Sequence, residues 1–403
     1  MVRIVQLITD DDVARWRRDT PGTAHRTHLN NAGASLMPYP VVAAIEGHLR
    51  LEATTGGYEA AATAATAIAS AYADVAALVG AKPRNIAILA SATAAFAQAM
   101  SAFDFARGDA IVTSTADYVS NQLMFLSLAA RRGVRVIRAG DLPGGGVDPD
   151  AVRAAVRRER PRLVALTWVP TNTGLVQDAA AVGEACQESG VPFLLDACQA
   201  LGQLPIDVAA LKCDFLSTTA RKFLRGPRGI GFLFVADAAL ARGVHPLFVD
   251  MRGASWTADN ALSLADDARR FEQWEIPHAL LLGLGAAARY AREAGVERTA
   301  ARAHALAAEA RALLAAIPGV RTLDRGAHLC AIAAFECAGR DARDVMLALR
   351  ARGINTTAQS REDALIDLDR KGASSLLRVS PHYFNTREEL TVLEGAMREL
   401  LAA

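Results

Sequence analysis

The chain has 403 residues, 52% of them apolar and 22% charged, with a formal net charge of +1. That length predicts two domains with the composition of globular proteins, and the small net charge gives no electrostatic basis for a nucleic-acid or membrane partner. Five cysteines without CxxC spacing suggest neither a disulfide framework nor a zinc site, so no metal is expected and a reducing cytoplasm is the expected compartment.

The opening stretch Met1–Arg18 mixes apolar with charged residues and reads as neither signal peptide nor membrane anchor; no later run is long and apolar enough to span a bilayer. The pattern then alternates helices with short apolar runs. Val41–Val79 reads as helix broken near Gly56–Gly57, Asn85–Ala90 as strand, Ala94–Phe105 as helix, and Ala110–Ser114 as strand. Helix over Asn121–Arg132 and strand over Val134–Arg138 follow. After the turn Pro143–Gly146 come helix Pro149–Arg158, strand Leu163–Trp168, helix Ala179–Ser189 and strand Pro192–Leu195. Phe215–Ser217 and Gly231–Val235 complete this series. A long helix, Pro277–Ala294, leads into a second unit. Its elements are helix Glu297–Ala316, strand Leu329–Phe335, helix Ala342–Arg352, strand Leu377–Ser380 and helix Arg387–Leu401.

Strands that alternate with helices and lack a polar face predict an α/β fold with a mostly parallel sheet covered on both sides, plus a smaller α+β domain. Ligands of such sheets bind beyond the carboxyl ends of the strands. Asp117, Thr171, Asp196 and Lys222 all fall at or just after predicted strand ends, so they converge on one crevice. Lys222 is one of only four lysines, with Lys82, Lys212 and Lys371, so a catalytic amine has few candidates.

Two segments carry a resemblance: Leu194-Leu-Asp-Ala-Cys-Gln-Ala-Leu-Gly202, and Ser217-Thr-Thr-Ala-Arg-Lys-Phe-Leu-Arg-Gly-Pro-Arg-Gly-Ile-Gly231. Together they resemble the aspartate and lysine motifs of the class V aminotransferase-like pyridoxal-phosphate (PLP) enzymes, the group that contains the cysteine desulfurases. The likeness runs from His28-Leu-Asn-Asn-Ala-Gly-Ala34 to Leu376-Leu-Arg-Val-Ser380. It implies fold type I with a seven-stranded sheet, divided into an N-terminal segment (1–30) packing on the small domain, a large PLP domain (31–285) and a small domain (286–403). It also implies a homodimer with active sites near the subunit interface and a small amino-acid substrate.

The resemblance assigns roles residue by residue. Lys222 would carry PLP as a Schiff base and then act as base at Cα, while Asp196 keeps the pyridine nitrogen protonated. Gln199 matches the partner of the phenolic oxygen, Tyr118 the ring that stacks on the cofactor, and Ala92 and Thr93 the phosphate cradle at a helix start. Thr219 and Arg221 flank the lysine. Arg378 matches the arginine that holds the substrate carboxylate. His278 falls where the family commonly places a residue reaching the neighbouring subunit's phosphate, and Thr171, with Asn172 beside it, where an asparagine usually meets the ring oxygen. Asn31 and Tyr58, with His278 and His382, are expected around the substrate. Each has a plain structural alternative: a strand-end Asp can cap a helix, a Lys or Arg can be a solvated charge, and a His or Tyr can simply pack.

Several departures point away from desulfurases. Their loop cysteine has no counterpart in Asn355-Thr-Thr-Ala-Gln-Ser-Arg-Glu-Asp363, Arg221 stands in place of histidine, and Lys222-Phe-Leu-Arg-Gly-Pro227 is one residue longer than the desulfurase turn. Cys330 and Cys337 read as packing residues. Gly56-Gly-Tyr-Glu-Ala-Ala61 and Asp117-Tyr-x-x-Asn121 are similar to segments of the ergothioneine-pathway lyases, which cleave the C–S bond of hercynylcysteine sulfoxide. The expected activity is therefore β-elimination from a cysteine S-conjugate or sulfoxide, giving pyruvate, ammonia and a sulfur product. A class V aminotransferase or epimerase remains open, as does a PLP-binding protein without catalysis.

Overall fold

Runs such as Leu163-Val-Ala-Leu-Thr167 and Phe193-Leu-Leu-Asp196 offer no polar face, which a strand tolerates only when both of its faces are covered. A computed structural model, which describes residues 8–402, places them at the centre of a seven-stranded sheet. Its strands are β1 (Ile86–Leu89), β2 (Ala110–Thr113), β3 (Arg135–Arg138), β4 (Leu163–Thr167), β5 (Phe193–Asp196), β6 (Phe215–Thr219) and β7 (Gly231–Val235). They lie in the order β1-β7-β6-β5-β4-β2-β3. All neighbours are parallel except β7, which runs antiparallel to both β1 and β6. Alternate residues enter separate cores: Val112, Val164, Leu166 and Leu195 one, and Ile111, Leu163, Ala165 and Leu194 the other.

The broken helix expected over 41–79 is three helices, Tyr39–Thr55, Gly57–Thr63 and Ala65–Leu78. Gly56 makes the first break with φ +96°, a conformation that side chains disfavour. The helix His278–Ala294 packs against the first and third of these. It then turns at Gly295 into Val296–Ala315 and the smaller unit.

That unit holds a four-stranded antiparallel sheet of β8 (Val320–Thr322), β9 (Ala333–Cys337), β10 (Thr357–Ser360) and β11 (Ser375–Val379), in the order β8-β9-β11-β10. Thr27–His28 pairs in parallel with Ile354–Asn355, and Trp16 packs with Ala294, Tyr383 and Phe384. Residues 1–7 of the expected N-terminal segment lie outside the described residues.

Two differences from the sequence reading have physical causes. The strand expected from Leu329 begins only at Ala333. Before it, the Cys330 and Ile332 carbonyls accept from Arg311, and Ala331 N–H donates to Gln203 Oε1, so side chains take the place of a ladder. Thr357–Ser360, expected as loop, is a strand because β11 supplies its partners. Among the described residues no single helix is long and apolar enough to cross a membrane.

Candidate active site

Five strand ends bring the chemistry together. β5 ends on Asp196, whose Oδ2 accepts from Asn121 Nδ2 at 3.0 Å and lies 3.5 Å from Thr167 Oγ1 of β4. Oδ1 accepts from the Cys198 backbone N–H at 2.9 Å. Asn121 also donates towards Thr167 Oγ1 (3.2 Å) and Asp117 Oδ1 (3.3 Å). Asp117 follows β2 and accepts further bonds from Thr113, Thr167 and Gln122. Burial pushes the Asp117 carboxyl upward, these hydrogen bonds oppose that, and the Asp196 charge adds to it. Asp196 is thus held by a buried polar network that its own motif does not contain.

Lys222 follows β6 and is buried, with Nζ 5.9 Å from the centroid of the Tyr118 ring. Burial, with help from the charges of Arg221 and Arg378, brings its ammonium down from the ordinary 10.5 to about 8, against the pull of Cys198 and Asp196. The turn that carries it is braced by Arg225, which adopts φ +64° and is itself buried. Arg225 donates to Leu36 O (3.0 Å), the Tyr383 hydroxyl (2.7 Å) and Thr20 Oγ1, and lies over the Phe384 ring at 4.5 Å. Gly202 lies against the same turn, where a Cβ would collide with the backbone of Phe223 and Leu224. Arg225 thus ties the lysine turn to segments near both ends of the chain.

Arg378, on β11, reaches the same crevice from the small domain. Its Nη1 donates to the Thr171 carbonyl (2.7 Å) and hydroxyl (2.8 Å), while Nε is buried without a partner. Burial and the neighbouring Arg221 bring this guanidinium down to about 10, partly opposed by Asp363. A buried guanidinium with a free donor is a site for an anion. Thr171 Oγ1 also accepts from Gln199 Nε2 at 3.1 Å, so the threonine is committed as an acceptor and its own proton remains available. Gln199 donates a second bond to Ala32 O, and its Oε1 is buried without a partner.

The remaining expected residues divide. Ala92 and Thr93 start the helix Ala92–Ser101, capped by Ser91, with Thr93 exposed. Gly231 packs so close to Ser91 and Ala92 that a Cβ there would crowd their backbone. Thr219 donates weakly to Ile230 O (3.5 Å), and Arg221 donates to Gly33 O. Asn31, expected at the substrate, is fully buried. Its amide nitrogen donates to Ser380 O (2.8 Å) and its oxygen accepts from Ser35, so it ties the N-terminal segment to the small domain. His382 is also buried, with Nε2 2.7 Å from Phe223 O, behind the lysine turn. Tyr58 and His278 line a separate cavity of about 920 Å³ with Glu52, Tyr72, Arg84 and Arg252, and no member of the Lys222 cluster lines it.

The cluster fits PLP on its own chemistry. A carboxylate, an amine without a strong ion pair, an unpartnered amide oxygen and a free buried guanidinium would serve, in order, the ring nitrogen, the aldehyde carbon, the ring substituents and an anionic substrate group. Asn121 and Arg225 are the residues that sequence reasoning did not assign. Asn121 was visible only as part of Asp117-Tyr-x-x-Asn121, and Arg225 only as one member of the lengthened turn Lys222–Pro227.

Comparison with known proteins agrees with this geometry. The family model for Aminotransferase class-V matches residues 27–393. The chain is 27% identical over 391 residues to a probable cysteine desulfurase of Methanothermobacter thermautotrophicus, covering 95% of this chain and 97% of that protein. It is 28% identical over 392 residues to a probable hercynylcysteine sulfoxide lyase of Mycobacterium tuberculosis, covering 96% and 93%. Among solved structures, the cysteine desulfurase CsdA of Escherichia coli superposes with a TM-score of 0.89 at 23% identity, over 98% of this chain and 99% of that one.

Proposed function

From the premise that the chain belongs to the Aminotransferase class-V family of PLP-dependent enzymes, we propose that it is a C–S lyase. Its substrate would be a cysteine S-conjugate or sulfoxide, and its products pyruvate, ammonia and a sulfur fragment. Bound PLP supplies an electron sink for the electrons of the α C–H bond. Asp196, itself held by Asn121, would keep the proton on the ring nitrogen. Arg378 takes the α-carboxylate, for which its unpartnered Nε is available. Lys222, lowered to about 8, is partly uncharged near neutral pH and removes the α-proton. The Cβ–S bond would then break with its electron pair leaving on sulfur while a Cα=Cβ double bond forms, and one water would hydrolyse the released enamine, through its imine, to pyruvate and ammonia.

The observation that carries lyase over desulfurase is the lack of an available thiol. Cys186, Cys213, Cys330 and Cys337 are buried, and burial pushes the first three up to about 12 and Cys337 to about 11. Cys198, beside Asp196, is only partly buried by surface area, but desolvation, reinforced by the Asp196 charge, holds its thiol well above its ordinary value. Strand β10 and the turn Arg361–Asp363, which adjoin the Arg378 strand, contain no sulfur. A persulfide relay needs a thiolate in reach of substrate.

The test offers PLP-loaded protein L-cysteine, cysteine S-conjugates and hercynylcysteine sulfoxide, measuring pyruvate and alanine. Pyruvate from a conjugate supports the reading; alanine with protein-bound persulfide from cysteine refutes it. A homodimer is part of the same proposal, supported by Phe248 (80% exposed), Met251 (65%) and Trp256 (83%), which leave an apolar surface uncovered on a single chain. Light scattering at a dimer mass is the expected result.

A further inference from the structure

Glu52 and His278, which line the cavity apart from the Lys222 cluster, form with the buried His48 behind them a donor set that the proposed reaction does not use. His48 and Glu52 stand one turn apart on the helix Tyr39–Thr55, and His278 is the first residue of the helix His278–Ala294 packed across it. One ligand atom from each lies within 4.8 Å of the other two. The His48 and His278 rings meet edge to face at 6.0 Å between centroids.

Two observations separate this arrangement from ordinary helix packing. His48 is only 4% exposed, and its Nε2 is buried without a hydrogen bond, although Glu52 Oε1 is 3.1 Å away. The two atoms are therefore close without one pointing its proton at the other, as co-ligands of a third atom would be. A tetrahedral Zn²⁺ with bonds of about 2.0–2.1 Å keeps its ligands about 3.3 Å apart. The His48–Glu52 pair already meets that spacing, and the full set needs little side-chain movement to reach it.

We propose that His48, Glu52 and His278 form a binding site for one Zn²⁺-class divalent ion per chain, with its remaining coordination positions open to the 920 Å³ cavity. Two imidazoles and one carboxylate form a three-ligand set that suits such ions and leaves room for water or a ligand from the cavity. The ion would cross-link the helices Tyr39–Thr55 and His278–Ala294, and it draws His278 towards a metal rather than a cofactor phosphate. The cavity's other charges are mixed: Arg84, Arg252, Arg269, Asp267 and Glu275 also line it. Arg252 is paired with Glu272 and Arg269 with Asp267, which offsets their charge, while Glu52 supplies the anionic ligand.

The test uses untagged, PLP-loaded protein stripped with a chelator and titrated with Zn²⁺ against a chromophoric competitor, and in parallel with Co²⁺ by visible absorption. One equivalent should bind per chain, and Co²⁺ should give ligand-field bands of a four- or five-coordinate site. Loss of a direct ligand should weaken binding by at least the roughly 10- to 100-fold known for outer-shell changes. That loss is expected in His48→Ala and in His278→Ala. His278, half-exposed at a helix start, provides the variant that keeps its fold should buried His48 not tolerate replacement. Binding by wild type that is unchanged in His278→Ala, or no stoichiometric binding by wild type, overturns the proposal.

Discussion

Replacing Lys222 with methionine should make the cofactor-free protein more stable, not less. Methionine keeps an unbranched stem of similar length in the same buried position and removes the charge. Burial brings the Lys222 ammonium from 10.5 to about 8, and each pH unit of such displacement is worth about 1.36 kcal/mol. Holding this amine charged inside the site therefore costs about 3 kcal/mol at neutral pH, and Lys222→Met relieves it. The sign follows from proton binding. Between pH 8 and 10.5 the unfolded chain holds the proton and the native chain does not, so the wild-type penalty fades as pH rises through that window. Urea unfolding of the stripped proteins should show the full advantage of Lys222→Met at pH 7, falling below about 1 kcal/mol by pH 10. Equal stabilities at pH 7, or a difference that does not change with pH, would refute the assignment of a desolvated amine at this position.

Three further outcomes follow from particular contacts. Asn121→Ala removes the 3.0 Å bond to Asp196; a hydrogen bond to a charged group is worth about 1.5–3 kcal/mol, so kcat in the pyruvate assay should fall about 10- to 100-fold. The visible absorbance of bound cofactor should persist in that variant, which separates loss of positioning from loss of binding. Arg378→Lys keeps a charge but loses the planar fork, so KM for the amino acid should rise by about tenfold or more, as read from initial rates. Arg225→Met leaves the Thr20, Leu36 and Tyr383 oxygens without their donor, and urea unfolding should register a loss of about 3 kcal/mol or more.

The strands and helices of the large sheet were legible because their signal is local. Ala179–Ser189 and Gly231–Val235 coincide with the sequence reading, since a capping Asp178 and a fully apolar run declare themselves in place. Elements that depend on a distant partner were not. The hairpin Ala254–Ala258 with Ala261–Leu264 and the strand Thr357–Ser360 have mixed, partly exposed sequences whose conformation is set by the strand beside them.

The same distinction governs the site. Asp196 and Lys222 could be read together because both follow strands and their motifs resemble a known pair. What fixes them could not. Asn121 reaches Asp196 across 75 positions of chain, and Arg225 reaches Thr20 and Tyr383 across 205 and 158. No periodicity records such contacts, because a buried polar group is satisfied by whatever the fold brings to it. Asn31, a motif position read as facing substrate, has hydrogen bonds to Ser380 and Ser35 that give it a structural tie as well. A functional group is therefore distinguished from a strut by what remains unpartnered after folding. By that criterion Arg378 Nε and Gln199 Oε1, buried and unbonded, are stronger evidence for a ligand in the crevice than any residue type alone.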